Sequence, residues 1–243
     1  MSPDGGSAAP PALALPDAET LADLETFVGR ARRVDPDGAA RLVASGTVLA
    51  TYVSPVHGGG GPTVLGLRVV ALAAPAALDA TVPLAALLDR FARLAAARAT
   101  SPSPSTPSTP DGGTLLPVPP TGAAATWAGV TPPRAGWDAV GLLDAPALRE
   151  RAADGVREIA EGVPPGAGAA AVARLRAQVW GRPLTPDLPD VPAGLAFAAD
   201  ALAFLDDPRH EQDPVALFRA GPWLRATTRR GHVLARRSPL LGS

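Results

Sequence analysis

The segment Thr100 to Gly113 reads TSPSPSTPSTPDGG and offers no side chain that a core could use. A stretch with nothing to bury cannot offset the entropy of ordering itself, so its composition predicts an extended, disordered Ser/Thr/Pro linker. That one feature divides the 243 residues into a half over 17–99 and a half over 114–243. Residues 1–16, interrupted by Pro10, Pro11 and Pro16, read as a disordered leader. The two halves are free to form separate cores or to share one.

Periodicity then places the elements. A helix opens near Asp17 or Thr20, where Thr20 and Asp23 have capping-box spacing. Leu21, Leu24, Phe27, Val28 and Ala31 fall on one of its faces, and Asp35-Pro36-Asp37-Gly38 stops it. Arg41–Val53 and Thr63–Leu72 are rich in Val, Leu and Thr and read as antiparallel strands joined by Ser54–Pro62. A second helix carries Leu84, Leu87, Leu88, Phe91 and Leu94 on one stripe, with Thr81 as its N-cap.

Beyond the linker, Leu115–Gly141 reads as irregular and Pro-rich. Helices follow from an N-cap at Asp144 to Gly162 and over Ala169–Trp180, then an apolar helix over Ala193–Leu205. The runs Val215–Arg219, Trp223–Thr228 and His232–Arg236, punctuated by Gly221-Pro222 and Arg230-Gly231, spell a C-terminal β meander. The fold class is therefore α+β: antiparallel sheet or sheets covered by helices, with a low-complexity linker in the middle.

Composition narrows the chemistry. Hydrophobic residues make up 47% and charged residues 19%, enough apolar material for a core. With no cysteine there is no disulfide, thiol nucleophile or Cys-ligated metal. With no lysine there is no Schiff base, no pyridoxal-phosphate anchor and no Walker-type phosphate lysine. No cofactor is implied. The most apolar run, Pro62–Leu78, contains Arg68 and is too short to cross a bilayer, so no membrane partner is expected and the location reads as cytoplasmic.

Charge is unevenly spread. Residues 214–243 hold Arg219, Arg225, Arg229, Arg230, Arg236 and Arg237 and no acid, whereas the rest of the chain holds sixteen arginines against twenty-three acids. Within that hairpin region Arg225, Arg229, Arg230 and Arg236 form a candidate patch for an acidic protein partner or, as the alternative, for the phosphates of a nucleic acid, as in the wing of a winged helix. The helix preceding it presents only Asp200 and apolar residues, which does not suit a groove-reading helix. Trp127 and Trp137 bracket Pro132-Pro133-Arg134 in a chain that is only 4% aromatic, so Trp127, Arg134 and Trp137 are candidates for a pocket lining or a binding anchor.

Other motifs are weaker. Asp206-Asp207-Pro208-Arg209-His210-Glu211-Gln212-Asp213 gathers carboxylates and a histidine without the spacing of a known metal loop. His57, His210 and His232 lack a G-x-S-x-G partner for nucleophilic catalysis. Gly58–Gly61 suggests a phosphate cradle, but a P-loop needs a helix behind it and a lysine, so a floppy strand connection fits better.

Two stretches, Ala31-Arg32-Arg33-Val34-Asp35-Pro36-Asp37-Gly38-Ala39-Ala40-Arg41-Leu42 and Gly221-Pro222-Trp223-Leu224-Arg225-Ala226-Thr227-Thr228-Arg229-Arg230-Gly231-His232-Val233-Leu234, together with a composition set by GC-rich codons, resemble an uncharacterised family of actinobacterial hypothetical proteins. The resemblance implies a bacterial cytoplasmic protein and brings no activity or site with it. The sequence therefore points first to a non-enzymatic protein-interaction module, second to nucleic-acid binding through the Arg-rich hairpin, and third to a metal-free enzyme with a site near Trp127–Trp137.

Overall fold

The computed structural model describes residues 11–100, 113–120, 122–164, 166–207 and 213–236. The first helix, α1 (Ala18–Val34), is capped by Asp17, whose Oδ1 accepts from the Thr20 backbone N–H at 2.7 Å. Thr20 is thus inside the helix and not its cap. Asp23, freed from the expected capping box, instead takes both Nε and Nη2 of Arg68 at 2.6 Å. The expected stripe Leu21, Leu24, Phe27, Val28 and Ala31 is the buried face.

β2 (Ala39–Val56) and β3 (Thr63–Pro83) form a long antiparallel pair, from Ala39 opposite Pro83 to Val56 opposite Val64. Both outrun the sequence expectation. The Ala/Pro run after Leu72 carries no strand signal because it has little β-branched content, yet β2 supplies a partner for most of it. Pro75 is accommodated because it lies in an irregularity between Ala71 and Ala76, where no ladder donor is demanded of it. The strand continues to Pro83, so Thr81 is a strand residue and helix α2 (Leu84–Thr100) starts directly behind it. Leu84, Leu87, Phe91 and Leu94 are its buried stripe.

Residues 12–15 depart from the reading of residues 1–16 as a disordered leader, of which residues 1–10 lie outside the described residues. Ala12–Leu15 is strand β1, paired with β4 (Thr114–Pro117) from the far side of the Ser/Thr/Pro segment, and Leu13 and Leu15 are buried. A strand whose partner lies a hundred residues away has no local signal, and Pro10, Pro11 and Pro16 merely bound it. The linker residues 101–112 lie outside the described residues.

The second half contains β5 (Asp138–Leu143), α3 (Ala145–Gly162, capped by Asp144 through the Ala147 N–H), α4 (Ala169–Gly181) and α5 (Gly194–Ala201). It closes with the meander β6 (Val215–Ala220), β7 (Trp223–Thr228) and β8 (Gly231–Arg236). α5 ends earlier than expected because Ala203 adopts φ +52°, which breaks the helix; Leu202, Phe204 and Leu205 nonetheless stay buried.

The two halves share one sheet. Its order is β2-β3-β8-β7-β6-β5 with every neighbouring pair antiparallel, and Thr63–Leu67 of β3 pairs with Arg236–His232 of β8. The main core runs from Leu13 and Leu15 through α1, α2, α3 and α5 to Val233 and Ala235, so it draws on both sides of the linker. α3 and α4 meet where Gly155 leaves space for the fully buried Trp180, which stacks on Phe197 at 4.5 Å. On the opposite face of the sheet a smaller cluster joins Ala39, Leu65, Leu67, Trp127, Trp223 and Leu234 under the segment Ala123–Val130. Among the described residues no helix is long and apolar enough to cross a membrane.

Candidate functional site

Alternation along β7 decides where the expected binding residues go. Leu224 and Ala226 point into the main core, which sends Trp223, Arg225 and Thr227 to the other face of the sheet. Trp137, one residue before β5, is fixed on that same face by its own loop, its Nε1–H donating to the Pro133 carbonyl at 3.0 Å. The Arg225 guanidinium then lies 4.5 Å from the Trp137 ring and 4.7 Å from the Phe218 ring, a cation held between two aromatic faces. Two expected site residues from segments eighty-eight positions apart are thereby brought together.

Arg225 is unusual in its electrostatics. Burial holds its pKa below the ordinary guanidinium value, and among the described residues it has no ion pair and no hydrogen bond; its Nε is buried without an acceptor. A guanidinium in this position keeps donor capacity that the fold does not use.

Beside it lies the free edge of the sheet. Among the described residues β5 pairs only with β6, and five of its six residues are exposed, with Leu142 at 68% and Val140 at 46%. Leu142 sits opposite Ala216, two positions before Phe218 on β6, and Ala139 sits opposite Phe218. The edge therefore joins the Trp137–Arg225–Phe218 stack in one continuous surface. The irregularity between Ala139 and Gly141 twists the strand, a common device at sheet edges. Sequence reading missed β5 because Asp138-Ala-Val-Gly-Leu-Leu143 carries a glycine and buries Leu143 alone, which gives no alternation.

The remaining expected residues go elsewhere. Trp127 is buried in the smaller cluster. Arg134 is exposed, and its charge is felt at Tyr52 and Asp79. The loop between the two tryptophans is clamped by Arg41, which sequence reading did not single out. Its Nη1 donates to the Ala128 carbonyl at 2.7 Å and to Thr131 Oγ1 at 3.0 Å, while Nε and Nη2 grip Asp79 at 2.8 and 2.7 Å.

Arg229 and Arg230 occupy the β7–β8 turn, apart from Arg225. Both reach Asp206 at 3.3 Å, and Arg229 also reaches Asp213 at 2.9 Å. Burial works to raise the Asp206 carboxyl, but the hydrogen bonds and charges of the two arginines outweigh it and hold that group below its ordinary value. The carboxylates of the Asp206–Asp213 stretch that fall among the described residues thus include two serving as counter-ions; residues 208–212, with His210, lie outside the described residues. Among the described residues no cluster of three His, Cys, Asp or Glu side chains is placed to hold a metal. Arg236 is exposed at the end of β8, opposite Thr63 and Trp223, and Arg237 lies outside the described residues. His57 bonds the Ser54 carbonyl at 3.1 Å and stands 3.9 Å from Asp35. α5, the helix that would precede a wing, is buried along Gly194–Ala196 and Ala198–Ala199.

His232, on β8 beside this face, gives a pH test. Its Nδ1 lies 3.1 Å from Thr227 Oγ1, and burial, then Arg225 and Arg68, push its pKa below the ordinary 6.5. The folded state therefore binds fewer protons than the unfolded state between the two values, so stability is complete above about pH 6.5 and falls as pH drops towards the lowered folded value. Denaturant titrations from pH 8 to pH 5 are expected to show that loss, and His232→Gln to flatten it; an unchanged slope in the variant would assign the loss to other groups.

Residues 8–112 match the model of a domain of unknown function (DUF8010), and residues 132–240 match that of a second domain of unknown function (DUF8185). No curated protein and no solved structure matches the chain.

Proposed function

We propose that this chain, whose two halves match two uncharacterised domains, is a protein-interaction module that takes an extended segment of a partner along β5. The observation that carries the reading is the edge itself: among the described residues β5 ends the sheet with Val140 and Leu142 exposed, beside an aromatic-flanked arginine with no ion pair or hydrogen bond among those residues. A strand added to that edge gains main-chain hydrogen bonds, and its side chains alternate over Leu142 and the Trp137–Arg225–Phe218 stack. An acidic side chain at the position facing Arg225 supplies the acceptors that the guanidinium lacks; charge-assisted pairs of this kind are among the stronger hydrogen bonds. Trp and Arg are also the side chains that most often dominate binding energy at interfaces.

The test uses nuclease-treated lysate of the native host and compares the wild-type chain with Leu142→Arg and Arg225→Ala. Proteins captured by the wild type are expected to be lost, by about tenfold or more, in both variants, with unfolding temperatures held within a few degrees. Equal capture by all three chains removes β5 as the binding edge. Capture that disappears on nuclease treatment points instead to nucleic acid, the alternative raised by the arginine content of the hairpin.

A further inference from the structure

A cleft of about 880 Å³ lies away from the β5 surface. Its walls are Gly59–Pro62, one face of α4, the Pro189–Pro192 stretch and the end of β8. Arg174 and Gln178, four residues apart, lie on one side of α4; Arg182 follows at its C-cap, and Arg236 enters from β8. Arg182 is paired with Glu158 at 2.7 Å, and Asp190, the one acid in the lining, reaches Arg219 at 3.3 Å. Arg174 and Arg236 have no ion pair among the described residues. The cleft is thus left with an excess of positive charge in a concave setting.

The glycine loop is not the floppy connection its sequence suggests. It is seated on α4: a Cβ at Gly59 would stand 2.9 Å from the Ala173 carbonyl oxygen, and one at Gly61 2.9 Å from the Ala177 Cβ. Gly58, Gly59 and Gly60 all have positive φ. The Gly61 N–H closes a turn onto the Gly58 carbonyl, whereas the amides of Gly59 and Gly60 donate to nothing among the described residues. Bare backbone donors beside unpaired arginines form the chemistry that holds phosphate oxygens, and here it arises without a lysine or a helix N-terminus.

We infer that this cleft binds a phosphorylated small molecule, with the Gly59–Gly60 backbone and Arg174 and Arg236 holding its phosphate groups. The inference is independent of the β5 reading, because the two surfaces share no residue. Isothermal titration with pyrophosphate and with ADP at low salt tests it, with adenosine as the uncharged comparison. One pyrophosphate and one ADP per chain are expected to bind, adenosine not at all. The Arg174→Ala/Arg236→Ala chain is expected to lose at least about tenfold in affinity for both, while Arg157→Ala, on an exposed part of α3, keeps it. Failure of both probes to bind at millimolar concentration, undiminished binding in the double variant, or equal loss in Arg157→Ala would each overturn the assignment. Since both arginines are on the surface, far-ultraviolet circular dichroism of the double variant is expected to match the wild type. A second variant, Gly59→Val, removes the loop from its seat and is expected to weaken both probes with the arginines intact.

Discussion

Gly155→Ala is expected to destabilise the protein by about 2–3 kcal/mol, although alanine is the better helix former. The added Cβ would stand 2.2 Å from Cζ3 and 2.5 Å from Cη2 of Trp180. That ring cannot yield, because it is fully buried and stacked on Phe197 at an interplanar angle of 16°. Either α3 moves away from α4 or the stack opens, and both cost packing. The same substitution at Gly29 in α1 supplies the control. There a Cβ meets nothing within 4 Å, so Gly29→Ala is expected to stabilise by up to about 1 kcal/mol. For a domain of this size a loss of 2–3 kcal/mol lowers Tm by about 5–10 °C, and paired thermal melts of the two variants read both signs. A neutral Gly155→Ala would mean that α3 and α4 are not packed through Trp180.

The second large effect is expected at Val233→Pro. Val233 lies in the middle of β8, 1% exposed, with Gly66 of β3 on one side and Ala226 of β7 on the other. Proline there removes a ladder donor and places its ring inside the sheet, at a cost of about 3 kcal/mol or more. The informative part is where the damage is felt. All four tryptophans lie beyond the linker, at positions 127, 137, 180 and 223, so their fluorescence reports the second half. Hydrogen exchange of the β2 amides reports the first. With one sheet, both signals are expected to fail together at one denaturant midpoint. Retention of β2 protection after the tryptophans are exposed would show two independent units.

What the sequence made legible follows from where each signal resides. α1 and α2 announce themselves because their apolar residues repeat at helical spacing within one segment, and the buried residues Leu21, Leu24, Phe27 and Leu84, Leu87, Phe91 are the ones that spacing selects. The β6–β8 meander is equally local, each strand bounded by its own glycine turn. β1 and β4 are illegible because neither has a reason to be a strand without the other. The site is legible only in pieces. Trp137 and Arg225 stand out by residue type, but their pairing depends on β5 lying next to β6, and β5 itself is concealed by its exposure. Arg229 and Arg230 show the opposite error, since a run without acids in sequence acquires Asp206 and Asp213 in space.

The β3–β8 seam has a consequence for inheritance. Gly66 faces Val233 across it, and a Cβ on Gly66 would stand 2.1 Å from Leu202 Cδ1, a side chain from the other half. A mutation at such a position on one side is judged by what occupies the other, so the two matched regions are expected to change together and to tolerate separate exchange poorly. If a reading frame were broken between α2 and β4, the two polypeptides would each expose a bare strand flank, along β3 in one and β8 in the other, and would persist only as a matched pair.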